Sequence, residues 1–336
     1  MSRHLKLLIG IAISAVCVWV SMRDVQLSEV VGALRRASLP GFVGVMFLTI
    51  LGFWIRAIRW RSLISVPRRL STDSLFSATM IGFMANNVLP FRLGEFVRPW
   101  ALARRENLPK TTLLATIVVE RAVDMLTLLA ILGIALAVHP LGGETEAGRM
   151  VQAGASLLVL LSIALTAFVI ALERRPRFAH TVLHWMIGLL PERQRKRVAR
   201  AFDHFVEGLG LFRDLPRLAW VFLLSFVMFG TFSLALSGSM WSMHIDVPWF
   251  GGLLMLVITA IGIMVPAAPG YIGTLNIACT AGLALFGVGK AQSVPFSWFY
   301  FFSQWLPITA VGLVYLNREG LSLASLGQAQ GGAAEA

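Results

Sequence analysis

Charge is the first scarcity in this sequence. Only 14% of its 336 residues are Asp, Glu, Lys or Arg, and 57% are hydrophobic, where an ordinary soluble chain carries about 25% charged residues. That excludes a soluble globular domain. The scarcity is local as well: no charged residue falls in 7–22, 150–172, 218–243, 247–289 or 291–317. Gaps near ~20 residues are what a helix needs to cross the hydrocarbon, so the chain reads as a polytopic membrane protein. Cysteine is nearly missing too. Cys17 and Cys279 lie far apart in apolar runs, which excludes a disulfide framework and a cysteine metal site and leaves packing roles. Acidic residues are outnumbered, 17 against 29 Lys and Arg. In a soluble domain that excess would suggest nucleic acid. In a membrane protein it is a topology signal first and a hint of anionic lipid second, and no nucleic-acid partner is expected.

What is present organises into six full spans, near 5–22, 38–58, 111–138, 150–172, 217–243 and 292–316. The first has no small-residue cleavage site before Arg23 and is expected to be a retained helix, not a signal peptide. Two stretches remain. Residues 74–91 are uncharged and end at Asn86-Asn87-Val88-Leu89-Pro90, whereas 92–105 carry Arg92, Glu95, Arg98, Arg104 and Arg105. The second piece is too charged and too short to cross lipid, so 74–105 is expected to dip in and return. Residues 247–289 are broken by Pro266, Pro269, Gly270 and Gly273 and fit either a second re-entrant pair or two tight spans. With the amino terminus inside, 23 of the 29 Lys and Arg fall on the inner side and 5 outside, with Arg121 inside a span. Both termini are then cytoplasmic. The segment 174–215 has helical apolar spacing between its arginines and reads as an amphipathic linker on the inner leaflet. His180, His184 and His204 sit there without metal-ligand company.

The chain also resembles itself. Pro40, Pro90 and Gly94 find Pro216, Pro266 and Gly270 at one offset of 176. Each half reads span, broken hairpin, span, and the charge-based orientation makes the halves inverted: an all-α bundle with repeat halves at 38–138 and 216–316 in a single transmembrane domain. Inverted repeats with broken helices are a transporter architecture. Helices restarting after Pro90 and after Pro269-Gly270 would aim positive N-terminal ends at the centre, where free N–H groups suit an anion. Asn86, Asn87, Thr274 and Asn276 offer hydrogen bonds there, and Gly94, Gly270 and Gly273 permit close approach.

Span 111–138 holds Glu120, Arg121 and Asp124, with Glu120 roughly 14 Å deep. Charges at such depth cost on the order of 3 kcal/mol, so they must face a polar cavity or one another. Either an ion-pair network locking helices or a role in cargo or proton coupling accounts for them. Arg56, Arg59 and Arg61, near the inner end of the second span, are expected to snorkel to the interface. Trp54, Trp60, Trp100, Trp220, Trp241, Trp249 and Trp298 fit interfacial belts.

The runs NNVLPFRLGEFVRPWALARRENLP, VVERAVD and VPAAPGYIGTLNIACTAGLALFGV keep this order along the chain and resemble the flippase-like transmembrane domain of the lysylphosphatidylglycerol synthase family. The resemblance implies a multi-pass bacterial inner-membrane protein that moves lipid between leaflets: aminoacylated phosphatidylglycerol in the fused enzymes, hopanoids or polyprenyl-linked glycans among stand-alone relatives. It implies roles for Pro90, Arg92, Gly94, Glu95 and Arg98, for Glu120, Arg121 and Asp124, and for Pro266, Pro269, Gly270 and Gly273. Where many relatives have Glu, this chain has Asn276. With about twenty residues after the last span, the soluble transferase domain of the fused enzymes is expected to be absent. The expected function is translocation of an anionic or phosphate-bearing lipid, without cofactor or metal, in company with a lipid-synthesising enzyme. Rival readings are a membrane-embedded transferase using Glu120 and Asp124 as acid and base, and a scaffold for a lipid-modifying enzyme.

Overall fold

The computed structural model describes residues 27–64, 69–89, 92–138, 214–264 and 269–322, with positions 19, 160, 163, 164, 181, 199 and 326 besides. Apart from those positions, the expected spans over 5–22 and 150–172, the amphipathic linker and its histidines lie outside the described residues. So do Cys17, Pro90 and Pro266.

Nine α-helices and no strand occur among the described residues. A short amphipathic α1 (Leu27–Arg36) leads into α2 (Leu39–Leu63), which starts on a Ser38 cap whose hydroxyl accepts from Gly41 N at 3.2 Å, with Pro40 in the first turn. These are strong start signals, because both tolerate or satisfy the free N–H groups of a first turn. Then come α3 (Thr72–Val88), α4 (Gly94–Glu106) and α5 (Lys110–Val138). The order then recurs as α6 (Leu215–Ser242), α7 (Gly251–Met264), a 3-10 turn at Pro269–Tyr271, α8 (Thr274–Ala284) and α9 (Lys290–Arg318). Helices α2, α6 and α9 are long and apolar enough to cross a membrane. Helix α5 has 29 residues but carries Glu120, Arg121 and Asp124. The 14 and 11 residues of α7 and α8 reach only about 21 and 17 Å, short of a hydrocarbon core ~30 Å thick.

Helices α2 and α6 form the spine and lie antiparallel, fastened at both ends. Ser38 N donates to Ser242 O at 3.0 Å, and at the opposite end Arg217 Nε donates to Ser62 O at 2.7 Å. The packing is reciprocal. Helix α3 packs on α2 as α7 packs on α6, and α9 packs on α3 as α5 packs on α7. The α3–α4 pair depends on two glycines, since a Cβ on Gly94 would collide with the Gly82 carbonyl oxygen. At the open end of that pair Arg105 bridges Asp73, at 2.7 Å, and Glu319. Ser77 Oγ donates to Glu319 Oε1 at 2.8 Å and Tyr315 OH to Asp73 Oδ1 at 3.1 Å, tying the hairpin to the end of α9.

Candidate functional site

Helix phase decides which charges enter the bundle. On α2 the buried face runs through Val45, Thr49, Gly52, Phe53, Arg56, Ala57, Arg59, Trp60 and Leu63, the three-and-four spacing of one helical side. Arg56 and Arg59 continue that face inward, whereas Arg61 is exposed. The snorkelling expectation is therefore corrected for Arg56 and Arg59, because the apolar stripe they belong to is packed against α3, α5 and α6. Trp60 is likewise no interfacial residue: it is fully buried, donates from Nε1 to Thr116 Oγ1 at 2.8 Å, and lies under the Arg98 guanidinium at 3.9 Å. Trp54, Trp220, Trp241 and Trp249 are exposed.

The two carboxylates of α5 form the hub. Glu120 is fully buried and receives Arg56 Nη1 at 2.7 Å, Arg98 Nη1 at 2.8 and 3.0 Å on its two oxygens, and Arg121 Nη2 at 3.0 Å, with Arg59 Nη2 at 3.3 Å. Asp124 takes Arg59 Nη1 at 2.6 Å, Arg121 at 3.3 Å and Arg56 at 3.4 Å. Arg59 also donates to Ser225 Oγ of α6 at 2.8 Å. Desolvating such ions costs several kcal/mol each unless partners replace the lost water, and the arginines draw four helices around one pair of carboxylates.

The broken segments meet beside this hub. Arg92 has φ +53° and Tyr271 φ +62°, a left-handed backbone that costs a side-chain-bearing residue roughly 1–2 kcal/mol. The strain is held in place by contact between the two breaks, for Arg92 Nη1 donates to Ile263 O at 3.3 Å and its guanidinium lies 5.5 Å over the Tyr271 ring. Gly270 has φ +73°, which disfavours any side chain, and a Cβ there would press on the Trp305 ring at 3.2 Å. Between the breaks lies a cavity of about 190 Å³. Arg56, Arg92 and Arg121 enter its lining, together with Asn87 and aromatic walls that include Phe83, Phe232, Tyr300 and Trp305.

The residues singled out from sequence divide into three groups. Arg98, Glu120, Arg121 and Asp124 join the hub, and Glu95 flanks it, 3.7 Å from Arg92 and 3.9 Å from Arg121. Arg92, Asn87 and Gly270 line the cavity, where Asn87 Nδ2 donates to Thr309 Oγ1 at 3.0 Å. The remaining residues build helix starts. Asn86 Oδ1 accepts from Gly94 N at 2.7 Å and Asn276 Oδ1 accepts from Gly273 N at 3.0 Å, while Asn276 Nδ2 donates to Ser297 Oγ at 2.8 Å. Thr274 Oγ1 donates to Tyr271 O at 3.2 Å. Each restart thus has an amide already met by an asparagine, and the positive charge at the cavity comes from guanidinium groups instead of bare helix ends. Arg56 and Arg59 were missed as site residues, although the phase of their own helix marks them. Among the described residues no group of His, Cys, Asp and Glu is placed to hold a metal.

These features define a multi-pass helical membrane protein with an arginine-lined cavity inside its bundle. Residues 7–312 match the family described as the lysylphosphatidylglycerol synthase TM region, and the chain belongs to that family. It is also similar to a protein of Haloferax volcanii named glycosyltransferase AglD, with 26% identity over 158 residues. That match covers 46% of this chain and 25% of the relative, so the chain spans about a quarter of that relative's length.

Proposed function

We propose that the protein moves a phosphate-bearing anionic lipid between the leaflets of a bacterial inner membrane, taking the headgroup into the central cavity while the acyl chains stay in the bilayer. One observation carries this reading: the cavity is lined by Arg56, Arg92 and Arg121 and walled by aromatic side chains, an environment in which an anion gains far more than it would in water. The halves at 38–138 and 216–316 are taken as an inverted repeat, with the α3–α4 and α7–α8 hairpins entering from opposite faces. The matching helix order and the reciprocal packing support it. The end bearing Arg61, Arg104, Arg105, Arg217 and Arg318 is assigned to the cytoplasm, with both termini. A lipid-synthesising enzyme is the expected partner. Of the three cargo classes the family resemblance raises, the cavity's arginines favour phospholipid and polyprenyl-phosphate carriers over hopanoids.

The similarity to a protein named a glycosyltransferase raises a second reading, in which the chain takes part in glycan transfer. General acid–base chemistry needs a carboxyl free to exchange its proton. Glu120 and Asp124 are each met by three or more arginines, which favours transport without chemical change.

The deciding experiment is translocation of a fluorescent anionic phospholipid in reconstituted vesicles. Arg121→Ala and Arg92→Gln are expected to lose most of the wild-type rate while eluting as monodisperse folded protein. Wild-type rates in both variants would remove the cavity from the transport path. A labelled glycolipid product formed from sugar donor and lipid would favour the enzyme.

A further inference from the structure

Around the hub and the cavity edge, the described cations outnumber the described anions. Among the described residues, Arg56, Arg59, Arg92, Arg98 and Arg121 meet the carboxylates of Glu95, Glu120 and Asp124. Helix α6 contributes the neutral Ser225, and the faces that α7, α8 and α9 turn to the cavity bear uncharged side chains: apolar, aromatic, the Thr259 hydroxyl and the Gln304 amide. Five positive charges against three negative leave an excess of two. Arg92 and Arg121, each with about a third of its side chain open, line the cavity, so the excess lies where an anion can reach it and offset it.

We propose, resting on the transport reading above, that the favoured occupant is a phosphate dianion, a terminal phosphomonoester or a diphosphate, seated between Arg56, Arg92 and Arg121. A dianion closes the charge balance and presents several strong acceptor oxygens to guanidinium groups. A phosphodiester such as that of phosphatidylglycerol brings one negative charge and leaves one cation unmatched. A zwitterionic headgroup leaves both. The space agrees, since about 190 Å³ is room enough for a phosphate group.

The test measures binding to detergent-purified full-length protein by native mass spectrometry and by thermal shift at about pH 8, above the second phosphate ionisation near ~6. The probes are dioctanoyl phosphatidic acid, dioctanoyl phosphatidylglycerol, dioctanoyl phosphatidylcholine and glycerol 3-phosphate. Phosphatidic acid is expected to bind about tenfold more tightly than phosphatidylglycerol, the ratio for one more charge-assisted contact. Arg92→Gln should shrink that ratio and Glu95→Gln should widen it. Both residues flank the buried hub and are partly exposed, so either variant alone suffices if the other fails to fold. Equal binding of the two anionic lipids, or a ratio unmoved in both variants, overturns the dianion while leaving anionic transport standing. Binding of neither above phosphatidylcholine overturns the transport reading as well. Glycerol 3-phosphate binding as tightly as phosphatidic acid keeps the dianion and overturns the lipid as its source.

Discussion

The molecule holds two arginine–carboxylate clusters, and they differ in the two properties that matter. The outer one ties α3, α4 and the end of α9 together through Asp73, Arg105, Arg318 and Glu319, two charges of each sign. Its side chains are 20–66% exposed. The inner one is built on Glu120 and Asp124, which with Arg56, Arg59 and Arg98 are below one-tenth exposed, while Arg92, Glu95 and Arg121 at its cavity edge are 22–37% exposed, and among the described residues its cations outnumber its anions. The outer cluster is a fastening, for water and salt replace what any member loses. The inner one is costly to assemble and, among the described residues, carries two more cations than anions beside a cavity, which is why the site is placed there.

The comparison is broken most forcefully at Glu120. Glu120→Gln removes the shared partner of four guanidinium groups and is expected to destabilise the protein by about 3–5 kcal/mol, as loss of one member of a buried ion network does. Arg92→Gln, which lowers the excess, should cost much less. Thermal unfolding in one detergent compares them directly. If the two variants lose similar stability, the cluster is not overcharged as the contacts imply.

The outer cluster should behave symmetrically. Asp73→Asn and Arg105→Gln are each expected to cost about 0.2–1 kcal/mol, with similar values because the charges balance. The cost should shrink in high salt, since the Debye length falls from ~10 Å at 0.1 M to ~3 Å at 1 M, the spacing of these exposed charges. Unfolding midpoints at low and high sodium chloride check both points. A loss as large as that at Glu120, or one indifferent to salt, would make this latch part of the buried core.

These contrasts also show what the sequence discloses. The uncharged gaps give α2, α6 and α9 within a few residues, because crossing hydrocarbon imposes length and composition together. The breaks at Pro90 and at Pro269-Gly270 mark where α4 and α8 begin afresh, and the three motif runs identify the family. The ER-x-x-D run on α5 marks half of the inner cluster, since charge at that depth has few explanations. The other half was hidden in Arg56 and Arg59. An arginine near the end of a span reads as snorkelling unless its phase is followed from Val45 and Thr49 inward, and only tertiary packing shows that α5 and α6 close over that face. Asn276 shows a local role the motif does not disclose. Its amide beside a helix restart suggests a hydrogen bond to cargo, while locally it is a residue three positions into a helix whose side chain reaches back to the first amide. The outer cluster could not be seen at all, for it joins residues 73, 105 and 319, which are brought together only by the fold.

The smallest effect is a pH response confined to the outer cluster. The hydrogen bond from Arg105 holds the Asp73 carboxyl below its ordinary range, opposed by partial burial and aided by Tyr315. An acid whose folded pKa is depressed binds its proton more readily when unfolded, so its contribution is complete above the unfolded value of about 3.9 and disappears as pH falls through the lower folded value. The gap in unfolding midpoint between wild type and Asp73→Asn is therefore expected to stay constant from about pH 8 to 5 and to close only below about pH 4. Midpoints measured across that range give the answer. A gap that already narrows between pH 8 and 5 would mean that Asp73 is not held ionised by Arg105, and the hairpin would then owe its attachment to α9 mainly to Ser77, Glu319 and the packing of Met84 against Gly312.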